Sequence, residues 1–403
     1  MSFRLLIISS MYPGYLESFY KNNTDVKNLD YNQHHDALLK DSTEFVASYT
    51  KTFERLGIYV NCIIDNDIFL QNKWKEINGI KNATKQVTIY NQVKNFAPDI
   101  LWIEDLRFID KDLLLRIKTC INSIKLIIAY HCSPYNSGIL EKLRSVDFVI
   151  TCTPGLKNAF EDNGIRSYLV YHGFDSDLLS RVLKGNSEAE NKVVFTGSLF
   201  QGDGTHSQRI ELIESFLREN MALSLHLYLE PQYKIFAKKS IYRANQVLTK
   251  LKLEKLKKYF PVFEHVNAPV RNYSRSLKKA NLGPVFGLEM YQLLSLSGIV
   301  LNTHGEVAGD YAGNMRLFEA TGVGSCLLTD NKTNLAELFD PGSDIVAYEN
   351  VDDCIEKARW LLENKVERKK IALAGQQRTL NSHKVEDRVK QIIEIIMNEL
   401  DEN

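Results

Sequence analysis

An α/β chain built on two doubly wound parallel sheets is what this sequence predicts. Short apolar runs alternate with helix-length amphipathic stretches. The alternation breaks at a polar stretch near the middle and then restarts. At 403 residues the chain is also longer than one ordinary core accommodates.

In the first half the apolar runs fall at 5–9, 59–64, 100–103, 125–130, 148–152 and 168–171. Between them lie segments such as 37–56, which reads as one helix closed by Gly57. Strand-length runs separated in this way predict a parallel sheet with helices on both faces. Residues 176–191 turn polar, with Gly185, Asn186 and Ser187, and mark a linker. Strand-like runs return at 193–196, 223–229, 298–302, 325–329 and 345–348. Segment 385–400 carries Val389, Ile392, Ile393 and Ile396 at helix spacing. The expected organisation is a domain over 1–178, a second over 190–380, and a terminal helix within 381–403.

Fifty basic and fifty acidic residues leave no formal net charge, which argues against a nucleic-acid binder. Apolar content of 44% and charged content of 25% are globular values. The cysteines at 62, 120, 132, 152, 326 and 354 form no Cys-x-x-Cys pair, so they read as reduced thiols of a cytosolic protein. The opening segment Phe3 to Ser10 is too short and lacks the cleavage site of a signal peptide, and reads as a first strand. No run approaches the roughly 18 apolar residues of a membrane span.

The stretch Gly309 to Gly322, followed by Ser325 to Asp330, is the most telling. A loop with Gly313 opens a short helix at Asn314, and an apolar strand follows. Backbone N–H groups at a helix start favour an anion, and Arg316 adds a positive charge beside them. Glu319, one turn deeper, is placed to accept hydrogen bonds from a ribose diol. Together these residues suggest a cradle for a nucleotide sugar.

Doubly wound sheets bind ligands at the carboxyl ends of their strands. Two such domains facing each other would form one cleft, and several loops are expected there. Strand 193–196 runs into Gly197, Ser198 and a glycine-containing loop that also carries Asp203, then a helix near Arg209; strand, loop and helix make a phosphate-binding geometry. Ser198 and Arg209 are the candidate phosphate ligands. Asn302, His304 and Glu306 follow strand 298–302. In the first half His131 ends an apolar run, Glu104 and Asp105 end another, and Tyr12-Pro13-Gly14 follows the first strand. A transfer with inversion would need a carboxylate or histidine there as base. The pairs Asp65/Asp67 and Asp175/Asp177 have Asp-x-Asp spacing, which suits a divalent ion, but neither adjoins the anion loop, so they read as turn formers. Residues 234–258 hold nine lysines and arginines against one acid, Glu254, interleaved with leucines and isoleucines; this reads as a solvated helix or a peripheral contact with the inner membrane face.

The run Asn314-x-Arg316-x-Phe318-Glu319-Ala320, the strand Cys326 to Asp330, and Asn334-Leu335-x-Glu337-Leu338-Phe339 resemble the C-terminal half of group 1 (family 4-like) glycosyltransferases of GT-B architecture. So do Phe286 to Ser295 and Ile299 to Gly305. The likeness is nearest to the spore-maturation-type (CgeB-like) branch and covers roughly 190–400. It implies that the loop at Gly197 and Ser198 meets the donor phosphates, that Phe286 lies against the nucleobase, and that His131 sits near the transferred sugar. His304 and Glu306 would address the sugar or the leaving diphosphate. It also implies that the terminal helix crosses back to the first domain and that Arg316 replaces a metal. Many retaining members carry two glutamates separated by seven residues; Glu319 matches the second, and the place of the first, eight positions earlier, is held by Tyr311 with Asp310 beside it.

The expected activity is a metal-independent hexosyltransferase-like transfer from a nucleoside diphosphate sugar to a glycan or lipid-linked saccharide in polysaccharide biosynthesis, with no further cofactor. Catalytic candidates are His131, Glu306 and Arg316. Donor candidates are Gly197, Ser198, Arg209, Phe286, His304, Gly313, Asn314, Arg316 and Glu319, and acceptor-side candidates are Tyr12, Gly14, Glu104 and Asp105. The alternatives are a nucleotide-sugar epimerase on the same architecture and a non-catalytic two-domain ligand-binding protein.

Overall fold

A computed structural model describes residues 3–182, 190–202, 206–260 and 262–402. The chain divides into two compact units: Met1–Arg181 with Phe286–Leu288 and Ser382–Asn403, and Val182–Val285 with Glu289–Asn381. Residues 183–189 of the expected linker, and Asp203 of the glycine-containing loop, lie outside the described residues.

Six strands build the first unit: β1 (Arg4–Ser9), β2 (Tyr59–Ile64), β3 (Ile100–Ile103), β4 (Leu126–Tyr130), β5 (Phe148–Thr151) and β6 (Ser167–Leu169). They pair in the order β2-β1-β3-β4-β5-β6, all parallel. Apart from Leu169 of the edge strand β6, their Ile, Leu and Val residues are buried on both faces, with Trp102 fully enclosed in the core, because helices cover both sides of a parallel sheet.

Helices begin where polar caps stand. Asp67 accepts from the Leu70 N–H at 3.1 Å, Thr84 from Val87, Asn136 from Ile139 and Thr153 from Leu156. The helix expected over 37–56 is broken in two, Tyr31–Asp41 and Phe45–Arg55. Ser42, Thr43 and Glu44 form the break, and the Arg181 guanidinium donates to the Asp41 carbonyl there at 2.6 Å.

The terminal helix Val385–Glu402 belongs to this unit. It sets Val385, Val389, Ile392 and Ile396 into the first core and packs against Phe45–Arg55. Just before it, Phe174 donates to His383 at 2.8 Å and Val385 donates to Phe174 at 3.0 Å. A Cβ on Gly173 would lie 2.8 Å from the Val385 nitrogen, so only glycine lets the two backbones approach this closely.

The second unit has β7 (Glu190–Leu199), β8 (Leu223–Leu229), β9 (Ser297–Leu301), β10 (Cys326–Asp330) and β11 (Val346–Tyr348), in the parallel order β11-β10-β9-β7-β8. Every strand expected from the sequence has its counterpart here. In both sheets the second strand in chain order lies on one side of the first and the third on the other. The topological switch points are therefore β1/β3 and β7/β9, the places where doubly wound sheets bind ligands. Among the described residues no helix is long and apolar enough to cross a membrane.

Candidate active site

At the β7/β9 switch point of the second unit the two strands part, and their following loops carry most of the expected donor residues. Arg209, in the helix Ser207–Arg218, bridges them. Its Nη1 donates to the Ser198 carbonyl at 3.0 Å and its Nη2 to the Thr303 carbonyl at 3.0 Å. Its Nε is shielded and has no partner. No carboxylate of the described residues lies within ion-pair distance of it. Desolvation dominates and pushes the guanidinium down to about 10, although Glu306 and Asp330 act in the other direction; the Arg316 charge adds to the depression. An under-neutralised cation of this kind gains from a bound anion.

Arg316 lies in the helix Met315–Gly322. Its Nη1 pairs with the Glu319 carboxylate at 2.8 Å, one turn along, and its Nη2 donates to Thr196 of β7 at 3.2 Å. The other oxygen of Glu319 accepts from the Tyr291 hydroxyl at 3.3 Å. Asn314 does not cap its helix; its amide pairs with Asn302 at 2.9 Å.

His304 holds this loop to the sheet. The Gly313 N–H donates to Nε2 at 3.4 Å, and a backbone N–H can only donate, so the ring proton sits on Nδ1, 2.8 Å from Asp330. Burial alone would raise the Asp330 carboxyl, but its hydrogen bonds from His304, with the Lys332 charge, hold it below the ordinary range. His304 is thereby occupied on both nitrogens and works as a clasp that positions Gly313.

Glu306 stands at the start of the helix Ser207–Arg218. One oxygen accepts from the Ser207 hydroxyl at 2.6 Å and the Gln208 N–H at 3.0 Å, and the other is buried without a partner. The helix N-terminus expected for phosphate therefore already holds a carboxylate, which is satisfied there by the helix dipole.

In the first unit the carboxyl ends of β1, β3 and β4 carry the other candidates. Glu104 accepts from the Ser9 hydroxyl across the β1/β3 switch point. Burial raises its carboxyl to about 7, against the lowering hydrogen bond from Ser9. Glu44, in the break between the two helices, accepts from the Tyr12 N–H at 3.1 Å, and burial raises it to about 8 with Glu104 adding to the shift. The sequence reading missed Glu44, because it hides inside an apparently continuous helical pattern. Asp105 is clamped by Arg107. His131 is buried at 3% exposure, with Nε2 3.3 Å from the Ser133 hydroxyl. Desolvation, then the Arg107 charge, holds its imidazole below the ordinary range and so neutral at physiological pH.

Tyr12 is exposed, and Gly14 lies in the first turn of the helix Pro13–Asn22. Phe286, expected with the donor residues, counts with the first unit: a Cβ on Gly14 would lie 2.5 Å from its ring, and Tyr12 stands 6.2 Å from it. The acidic pairs also belong to the first unit. Asp65 pairs with Lys85 at 2.7 Å, Asp67 caps a helix, Asp175 accepts from Ser48 at 2.7 Å and Asp177 pairs with Arg55 at 3.2 Å. All six cysteines are free thiols. Cys132, Cys152 and His172 bring their ligand atoms within 4.8 Å of one another, but His172 is already hydrogen-bonded to the Tyr130 hydroxyl at 3.0 Å and the nearby Arg388 charge opposes a cation.

Residues 248–394, a little over a third of the chain, match a family model described as glycosyl transferase-like. Solved structures align with nearly the whole chain. The chain has the GT-B fold. Anabaena HepE, solved with UDP-glucose, is 14% identical with a TM-score of 0.53, over 98% of this chain and 100% of that one. A glycosyltransferase from Rickettsia africae is 10% identical with a TM-score of 0.56, over 99% of each chain. Sucrose-phosphate synthase from Thermosynechococcus elongatus is 9% identical with a TM-score of 0.55, over 99% of this chain and 100% of its own. At such identities the likeness speaks to the fold. No curated protein matches the sequence.

Proposed function

We propose that the protein transfers a sugar from a nucleoside diphosphate donor to a glycan or lipid-linked saccharide without a divalent metal, on the CgeB-like branch of group 1 glycosyltransferases. The observation that carries this reading is Arg209: a desolvated guanidinium at the β7/β9 switch point, with an unpartnered Nε and, among the described residues, no carboxylate in contact. A diphosphate supplies the missing counter-charge. Arg316 adds a second cation, whose pull on the diphosphate strengthens as the glycosidic bond breaks. Gly197, Ser198, Gly313 and Asn314 provide the surrounding backbone, and Glu306, whose second oxygen has no partner, is a candidate sugar contact. The second unit is thus the donor side. The first unit is the acceptor side, with Glu104 as candidate base and neutral His131 as candidate sugar contact.

UDP-glucose, the ligand solved with Anabaena HepE, is the first donor to test. Release of nucleoside diphosphate on addition of glycan acceptors is expected to persist in excess EDTA, because two guanidinium groups occupy the role of the ion. Loss of turnover on chelation and its return with manganese would refute metal independence. Epimerisation of the donor with no acceptor present would favour the epimerase reading instead.

Glu319 carries a separate expectation. If its carboxylate takes the ribose hydroxyls, Glu319→Ala weakens nucleoside diphosphate binding by about tenfold to a hundredfold, the value of a charged hydrogen-bond partner. Titration calorimetry reads this directly. Unchanged affinity would reduce Glu319 to the residue that orients Arg316.

A further inference from the structure

The helix Gln232–Lys250 buries one side through Ile235 and Asn245. On the opposite side Tyr233, Phe236 and Val247, with Leu251 just beyond its end, are 69%, 71%, 53% and 62% exposed. Their spacing puts them in one stripe of a helix with 3.6 residues per turn. Tyr259 and Phe260 extend the same exposed apolar character through the next turns. Of the 25 large apolar side chains exposed among the described residues, nine lie within 233–262, so this is a concentrated patch and not ordinary scatter.

The charge around the stripe is one-sided. Lys234, Arg243, Lys250, Lys252 and Lys255 are exposed. Among the described basic side chains of 234–258, only Lys238 pairs with a described carboxylate, Glu230 at 2.6 Å. A second copy of the chain docking on the stripe would bring basic flank against basic flank. A surface of anionic headgroups over an apolar interior complements both the charge and the aromatic side chains.

We infer that 233–262 docks the protein on a bilayer containing anionic phospholipid. This does not rest on the donor-site reading, and either can fail alone.

The test is co-sedimentation of the full chain with vesicles of phosphatidylcholine, with or without phosphatidylglycerol. Binding is expected only with the anionic lipid and should fall steeply as salt is added. Lys250→Gln/Lys252→Gln/Lys255→Gln should lower the partition coefficient on the order of a hundredfold, at roughly fivefold per cation. Tyr233→Ser/Phe236→Ser should lower it about tenfold or more. These side chains are exposed, so both variants should keep the wild-type melting temperature and nucleotide binding. Equal retention on neutral vesicles, or undiminished binding by either variant, overturns the inference. So does a dimer in sedimentation velocity that Tyr233→Ser/Phe236→Ser dissolves without any vesicle binding, which would assign the patch to a second copy.

Discussion

Replacing Arg209 by glutamine is expected to lower nucleoside diphosphate affinity on the order of tenfold to a hundredfold and leave affinity for the bare nucleoside unchanged. The difference between the two ligands isolates the phosphates. Arg209 spends two of its donors on the carbonyls of Ser198 and Thr303 and keeps Nε unpartnered. Its geometry is thus set by the protein before a ligand arrives, which spares the complex the ordering cost of a mobile side chain. Arg209→Lys should fall between wild type and glutamine. An ammonium retains the charge but cannot hold two carbonyls and still offer a planar fork. Either variant leaves a carbonyl less well satisfied, so calorimetry belongs well below the melting temperature. Equal losses for nucleoside and diphosphate would place Arg209 away from the phosphates.

Glu104→Gln is expected to slow transfer by about 10²–10⁴-fold, the usual worth of a positioned base, and at the same time to stabilise the fold at alkaline pH. The sign follows from the direction of the shift. Burial raises this carboxyl to about 7, above its ordinary value, so the folded state favours the protonated form. That stability is fully present below the unfolded value and is lost as pH rises through about 7. Glutamine cannot ionise and escapes the loss. The variant should therefore melt higher than wild type at pH 8, by about 1–3 kcal/mol of stability, and match it near pH 4. Wild-type activity should rise as pH passes the neutral range. Glu44 is raised by burial to about 8, with the Glu104 charge adding to the shift, so it ionises after Glu104 in the same limb. An equal melting difference at both pH values would mean that Glu104 does not titrate there, and full activity of the variant would exclude it as the base.

The sequence by itself determined the fold. Every strand was legible, because a strand buried on both faces must be a short apolar run, and such runs at 5–9, 100–103 and 299–301 have no alternative use. Arg316 and Glu319 were legible as candidates on a short helix after a glycine-containing loop, Arg209 at the start of the helix that follows β7, and His304 in the loop after β9. The break at Ser42 to Glu44 was not: helical periodicity runs on through it, and the Arg181 contact that occupies it comes from 140 positions away. The same distance problem hid the roles. Ser9 meets Glu104 across 95 positions, Ser207 meets Glu306 across 99 and Thr196 meets Arg316 across 120. Such pairings decide that Glu306 caps a helix, that His304 clasps Gly313, that Glu44 and Glu104 are raised together, and that Phe286 packs on Gly14. Periodicity is a property of neighbours along the chain, whereas desolvation and charge pairing belong to neighbours in space, and only the folded chain brings those together.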